Sequence, residues 1–458
     1  MDMKGWIHGA IPALLIHFSI GTVYCWSIFS NEISIYISTT KTLVEWAFSL
    51  AIFFLGISAA FFGGLIERDI HKSSLLSLIC FCSGMLGTGL FIYLGGYYKI
   101  NNIHSSVPLL GIYLCYGVIM GIGLGVGYVT PVKTLMLWFK DNKGLATGLA
   151  VMGFGAAKAI ASPIMLYIMR VLSNYNIETC ENDGSGLWKM FIVLGLVYMV
   201  LMLIAHLLLK KPEEMDEHAK RVNIEAIDGK VNIKSILKDW PIRDYIGIWF
   251  IFYINITCGL ALISQEKMIV QGIGLYSLIG LISMLSSFSN AAGRLFLAMA
   301  GDRLKYRKRM YVIILIGSVV ALILTVSTQA LYNSSSWYLQ MIVLNSLVII
   351  NAGYGGGFSN IAPLLSDYYG IEHISKLHGL TLSAWAFAGL TGNQLANFII
   401  THTGKIMSIE GTDINMDGYN NLFIILMILY LSAAFILMKI YNVGGNRTKY
   451  IRGSQDKI

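Results

Sequence analysis

The sequence predicts an all-α membrane protein: twelve transmembrane helices arranged as two six-helix pseudo-repeats. Three observations lead there. Of 458 residues, 56% are hydrophobic and only 13% charged, with a mean hydropathy of +0.66, far outside the range of soluble domains. Stretches free of Asp, Glu, Lys and Arg recur at bilayer-spanning length. The longest polar segment, 210–243, falls midway and divides the spans six and six.

The charge-free stretches cover 5–31, 46–66, 73–98, 100–132, 190–209, 245–265, 377–404 and 418–438. Each meets the length of about 20 residues that a membrane helix needs. The stretch 310–366 holds two spans, divided at Asn333-Ser334-Ser335-Ser336, while 144–169 and 273–301 are spans interrupted once each, by Lys158 and Arg294. The first stretch is too long for the apolar core of a cleavable signal and lacks a convincing small-residue cleavage site, so it is expected to be span 1. Domains are expected at 1–209 and 244–441, with 210–243 as linker and 442–458 as tail.

Placing the N-terminus in the cytoplasm puts 25 of the 33 Lys and Arg on the inner side, which predicts that both termini are cytoplasmic. The formal charge of +8 is thereby explained by topology, and no nucleic-acid partner is expected. Six cysteines fit neither a metal-ligand nor a disulfide spacing, and no metal, cofactor or nucleophile–base arrangement is visible. An enzyme is not expected.

Two short matches indicate internal duplication. Gly63-Gly64-Leu65-Ile66-Glu67-Arg68 after span 2 resembles Ala298-Met299-Ala300-Gly301-Asp302-Arg303 after span 8. Lys143-Gly144-Leu145-Ala146-Thr147 opening span 5 resembles His378-Gly379-Leu380-Thr381-Leu382 opening span 11. Both pairs share one offset of 235 residues, as positions 67 and 302 illustrate. Parallel six-helix repeats with an acidic-Arg pair in these loops (Glu67-Arg68 and Asp302-Arg303) resemble the major facilitator superfamily and its gating loop motif, although Ile70 and Lys305 replace the usual glycine.

Within that superfamily the chain resembles the oxalate/formate antiporter family. The resemblance rests on Gly21-Thr22-Val23-Tyr24-Cys25-Trp26-Ser27-Ile28-Phe29, on Trp138-Phe139-Lys140-Asp141-Asn142-Lys143-Gly144-Leu145-Ala146-Thr147-Gly148, and on Asn290-Ala291-Ala292-Gly293-Arg294. It implies a small carboxylate as substrate, an inner (plasma) membrane location and function as a monomer in the lipid bilayer. It also implies that Arg294 occupies the place of that family's carboxylate-binding basic residue.

The residues themselves point the same way. An arginine inside a span costs about 2.5–3.5 kcal/mol and must face protein or water. Its two parallel N–H donors suit a carboxylate, which makes Arg294 the expected substrate ligand; the plainer reading is that it snorkels or braces carbonyls. Lys158, roughly 21 Å of helix from Gly144, is a second candidate cation, with a structural bond to a carbonyl as its plainer reading. The family's oxalate carrier has a lysine three residues after a span 11 tryptophan, whereas here Trp385 is followed by Ala388, and the repeat offset aligns Lys158 with Asn393. A monocarboxylate such as formate, pyruvate or lactate is therefore expected over oxalate.

Tyr24, Tyr128, Tyr253, Tyr354, Phe358, Trp385 and Asn393 are expected to shape the path, with Tyr354 and Phe358 sharing a helix face at i, i+4. Glycines 117, 121, 123, 125 and 127 in span 4, and 353, 355, 356 and 357 in span 10, serve close packing or hinging, each cluster followed by a helix-ending or kinking proline, Pro131 or Pro363. Glu32, Glu45, Asp244, Glu266 and Asp367 all read as span ends or loops, leaving His17 as the midmembrane titratable group. That pattern favours anion exchange or uniport by alternating access, with proton-linked symport as the alternative and a non-transporting anion sensor as the remaining reading.

Overall fold

The structure, a computed structural model, describes residues 3–173, 175–176, 181–182, 184–212, 242–332, 336–371, 374–404, 407–409 and 412–440. Within them the chain forms twelve long helices and two short hairpins. α1 (3–36) passes through a π-turn at Trp6–Ala10 and a 3-10 turn at Thr22–Cys25. Then follow α2 (Lys41–Arg68), α3 (Ile70–Ile100), α4 (Val107–Trp138), α5 (Lys143–Leu172) and α6 (Gly186–Leu208). The second set comprises α7 (Ile242–Gly272), α8 (Ile279–Asp302), α9 (Lys308–Ser327), α10 (Trp337–Tyr369), α11 (374–402, jointed at Leu382) and α12 (Met416–Lys439). The antiparallel pairs β1 (Tyr175–Asn176) with β2 (Glu181–Asn182), and β3 (Met407–Ile409) with β4 (Thr412–Ile414), lie before α6 and α12. Of the expected linker and tail, only 210–212 and 242–243 are among the described residues.

Ten of the helices are apolar enough to cross a membrane by composition alone. The other two, α8 and α11, carry the polar side chains that face inward or bond to α7: Ser286, Ser289, Asn290 and Arg294 on α8 are buried, and Thr391 and Asn397 on α11 bond Tyr253 and Gln265. Elsewhere apolar stripes face outward, as Leu196, Val200, Leu203 and Leu207 do at helical spacing on α6. In a chain of this composition such a stripe faces lipid.

The two sets of six repeat one contact pattern. α1 packs on α5, α2 on α4, and α3 on α4 and α6; correspondingly α7 packs on α11, α8 on α10, and α9 on α10 and α12. Between the sets, α5 meets α8 and α2 meets α11, again a matched pair. Glycines set these distances: a Cβ at Gly125 would overlap the Leu55 carbonyl of α2, and one at Gly355 the Asn290 carbonyl of α8. Their packing role is direct. Pro131 and Pro363 do not end their helices, which run on to Trp138 and Tyr369.

Capping is local and conventional. Asp69 accepts from the N–H groups of His71 and Lys72 at 3.0 and 2.9 Å, starting α3, and those amides with the Lys72 ammonium hold its carboxyl below the usual carboxylate range. Asn415 does the same for Gly418 at the start of α12.

Of the acidic residues expected at span ends or in loops, Glu45, Asp244 and Asp367 lie within a few residues of their helix ends, whereas Glu266 lies inside α7; Glu266 and Asp244 are buried, at 7% and 1% exposure. A charge ends an apolar run in the sequence, but helical backbone bonds are local and continue through it. The span that reads as 245–265 extends to Gly272 and turns Glu266 inward.

Candidate functional site

Arg294 sits on α8 with no exposure to solvent. Its Nε donates to Asn290 Oδ1, one turn back, at 2.9 Å, and its Nη1 to the Val151 carbonyl of α5 at 3.3 Å. Nη2 is buried without a partner among the described residues. The guanidinium lies over the rings of Phe358 (4.9 Å) and Phe154 (5.4 Å). Two aromatic faces and two oxygens thus offset part of the desolvation of a cation that cannot leave this place. Gly155 makes room for it: a Cβ there would stand 2.9 Å from Asn290 Oδ1 and 3.1 Å from Arg294 Cδ.

The Nε–H and one N–H of Nη1 donate to the protein, which leaves the second N–H of Nη1 and both of Nη2. Snorkelling is excluded by complete burial, whereas the carbonyl-bracing reading is right for Nη1.

Around Arg294 the aromatic side chains of both halves form one cluster. Tyr128 of α4 touches Phe154, Trp385 and Phe358 at centroid separations of 5.6, 5.4 and 6.3 Å; Trp385 of α11 lies 4.5 Å from Phe358. Tyr354 and Phe358 are 5.1 Å apart on their shared face, and Tyr24 of α1 stands edge-on to Phe154 at 5.2 Å. Tyr24 and Tyr354 join hydroxyl to hydroxyl at 2.9 Å, a bond from one half to the other. His17 and His378 flank Tyr128 at 5.2 and 6.1 Å, so His17 is not the sole buried histidine here. The Tyr128 hydroxyl, the Trp385 indole N–H and the Nε2 atoms of both histidines are buried without partners among the described residues. Such orphaned groups are costly unless something else satisfies them.

Lys158 lies one turn beyond Gly155, half-buried, and its ammonium makes no hydrogen bond or ion pair among the described residues. The expected alternative, a structural bond to a carbonyl, is therefore not what it makes. Asn393, two turns beyond Trp385, is half-buried and outside the Arg294 cluster; Tyr253 stacks on Trp249 at 5.5 Å and bonds Thr391, also outside it.

At the end of the bundle carrying the 4–5, 8–9 and 10–11 loops, the two halves are latched. Asp302 accepts from the N–H groups of Gly144 and Leu145 at 2.8 Å each, a carboxylate seated on the N-terminus of α5. Lys143 reaches Ser366 (3.0 Å) and Asp367 (3.6 Å), and Lys133 donates to the Ile371 carbonyl at 2.6 Å. The arginine serving Asp302 is Arg307, which also bonds Asp367 at 3.3 Å; Arg303, expected in that role, is exposed. Arg68 is likewise exposed, and the Glu67 side chain falls outside the described residues.

Sequence reasoning thus brought together Arg294, Tyr24, Tyr128, Tyr354, Phe358 and Trp385, and missed Phe154, His378, Arg307 and the inward turn of Glu266. Positions 151, 154, 155 and 158 share one face of α5, a spacing that could have added Phe154. Arg307 lies one repeat offset from Lys72, but nothing in that loop distinguished it from its neighbouring basic residues.

Comparison with known proteins agrees with the architecture. The family model described as Major Facilitator Superfamily matches residues 13–393, and also 269–449. The chain is 23% identical over 380 residues to an uncharacterized MFS-type transporter, YhjX, of Escherichia coli (81% of this chain, 82% of the relative). It is 22% identical over 400 residues to the oxalate:formate antiporter of Oxalobacter formigenes (87% and 86%), and 21% over 486 residues to apicoplast pyruvate carrier 1 of Toxoplasma gondii (87% and 83%). Among solved structures, a bacterial homologue of the iron transporter ferroportin in an outward-facing state superposes with a TM-score of 0.69 at 12% identity, covering 96% of this chain and 99% of the other. With twelve helices in two matched sets and a family model spanning most of its length, the chain is a multi-pass membrane transporter, not an enzyme, and belongs to the major facilitator superfamily.

Proposed function

We propose that the protein carries small organic monocarboxylates across the membrane by alternating access, with Arg294 as the residue that holds the substrate carboxylate. One observation supports this above the others: a fully buried guanidinium with an unused Nη2, in a cluster where the Tyr128 hydroxyl and Trp385 indole N–H are also unused donors. Three donors and no buried carboxylate within the cluster suit an anion. Rings only 4.5–6.3 Å apart suit a small one. With Arg294 the one cation in the cluster and Lys158 about a turn beyond Gly155, the site holds one carboxylate better than two. Relatives named for oxalate:formate exchange and for pyruvate favour the same substrate class.

In this reading the halves 1–209 and 244–441 rock about the Arg294 cluster, joined by 210–243. The Asp302–α5 latch closes the basic end, taken as cytoplasmic, and the Tyr24–Tyr354 bond ties the halves within the cluster itself. Both termini then lie in the cytoplasm, the location is a plasma membrane, and one subunit suffices. The anion neutralises Arg294, so the loaded carrier reorients more easily than the empty one, which favours exchange. Proton-linked movement is a second reading with its own observation, because Glu266 is a buried carboxylate within a membrane helix.

The test is counterflow in proteoliposomes preloaded with pyruvate, formate, lactate or oxalate. Stimulated uptake of labelled monocarboxylate is expected; uptake indifferent to every internal anion and to a pH gradient would reject the assignment.

A further inference from the structure

We propose that His17 is a specificity-determining residue: its Nε2 accepts a hydrogen bond from a hydroxyl on the substrate, so that the Arg294 cluster selects 2-hydroxy monocarboxylates over unsubstituted ones. This rests on the monocarboxylate reading above and narrows its substrate class. His17 lies on α1 with no exposure to solvent. Its ring stands edge-on to Tyr128 at 5.2 Å and to Phe154 at 6.4 Å, and the Phe154 ring in turn lies 5.4 Å from the Arg294 guanidinium. The imidazole therefore borders the same space as the cation.

Its tautomer is set by its own helix. Nδ1 lies 3.0 Å from the Ala13 carbonyl, one turn back, and a carbonyl oxygen only accepts, so Nδ1 carries the proton. An imidazolium here would be a second buried cation, and the described residues of the cluster include no carboxylate to pair with it, so the ring is neutral. Nε2 is then a bare lone pair, buried and without a partner among the described residues.

A plain carboxylate cannot answer this acceptor. Arg294 Nη2, the Tyr128 hydroxyl and the Trp385 indole N–H are donors; the oxygens of formate or propionate satisfy them and leave Nε2 unmet. A hydroxyl on the carbon next to the carboxylate supplies the missing donor. A buried polar group left unpaired costs its full desolvation, and a site built to bond a hydroxyl rejects the analogue that lacks one. The other half of the protein shows the same position without this function: by the repeat offset His17 corresponds to Phe252, which is buried and packs on Phe358 at 5.1 Å. The cluster thus offers a cation, an acceptor on the α1 side and an apolar wall on the α7 and α10 side. Three unlike points fix the hand of the substituted carbon, so one enantiomer is favoured.

The experiment uses the full chain in proteoliposomes and measures inhibition of labelled pyruvate counterflow by L-lactate, D-lactate, propionate and 2-fluoropropionate, the last filling the place of the hydroxyl without donating. One enantiomer of lactate is expected to half-inhibit at a concentration about tenfold to 100-fold below that of propionate and of 2-fluoropropionate. H17F, which installs the residue that the other half carries, is expected to leave inhibition by propionate unchanged and bring both lactates to its level. H17Q, whose amide oxygen accepts, is expected to restore part of the preference. Wild-type protein inhibited no better by either lactate than by propionate overturns the proposal, and that comparison needs no variant to fold. A lactate preference that survives intact in H17F overturns it as well. Absence of counterflow with any monocarboxylate overturns the carrier reading and this proposal with it.

Discussion

Arg294 and Lys158 are both cations set into membrane helices that face each other, yet their surroundings are opposite. Arg294 has no exposed surface, two oxygens, two aromatic faces and a glycine opposite that fits it. Lys158 is half-buried, and its ammonium donates to nothing among the described residues. One cation is fixed and permanently charged in place; the other is a flexible point charge with a choice of partner. The contrast sets a cation built into its place beside one that the protein leaves unbonded.

Substitutions can break or sharpen that contrast. The largest effect is expected at Arg294: R294Q abolishes uptake, and R294K, which keeps the charge but loses the bonds to Asn290 and Val151, restores only a trace. Next is the pocket opposite it, where G155V should displace the guanidinium and reduce counterflow nearly as far without removing a charge. Y128F should raise the half-saturating anion concentration by about tenfold to 150-fold, the equivalent of about 1.5–3 kcal/mol for a bond to a charged group. K158A should cost less, about fivefold in apparent affinity, as for a partly solvated charge. Y24F removes one hydroxyl–hydroxyl bond between the halves, worth about 0.5–1.5 kcal/mol, and should change the exchange rate more than the affinity. Equal losses from K158A and R294Q would erase the distinction between the two cations.

Much of this was legible in the chain because membrane helices announce themselves by the absence of charge, and because the stretches 144–169 and 273–301 each carry a single exception. The same rule hid Glu266. A sequence reader takes a charge as the end of a span, and nothing in residues 262–272 shows that the helix continues and rotates Glu266 toward α5 and α8. Phe154 and His378 escaped notice for a different reason: one aromatic among many, or a histidine inside a motif, gains meaning only when six helices bring it beside Tyr128. The acceptors that hold Arg294 were not legible: one is Asn290, a turn back on the same helix, and the other is a backbone carbonyl that sequence does not display.

The most direct measurement of the central claim is calorimetric titration of the purified transporter with pyruvate and with oxalate, alongside R294Q. The account predicts binding of pyruvate at least as tight as oxalate in the wild type, and none of either in R294Q whose helical content and oligomeric state are unchanged. Pyruvate binding by a folded R294Q at wild-type affinity would contradict it.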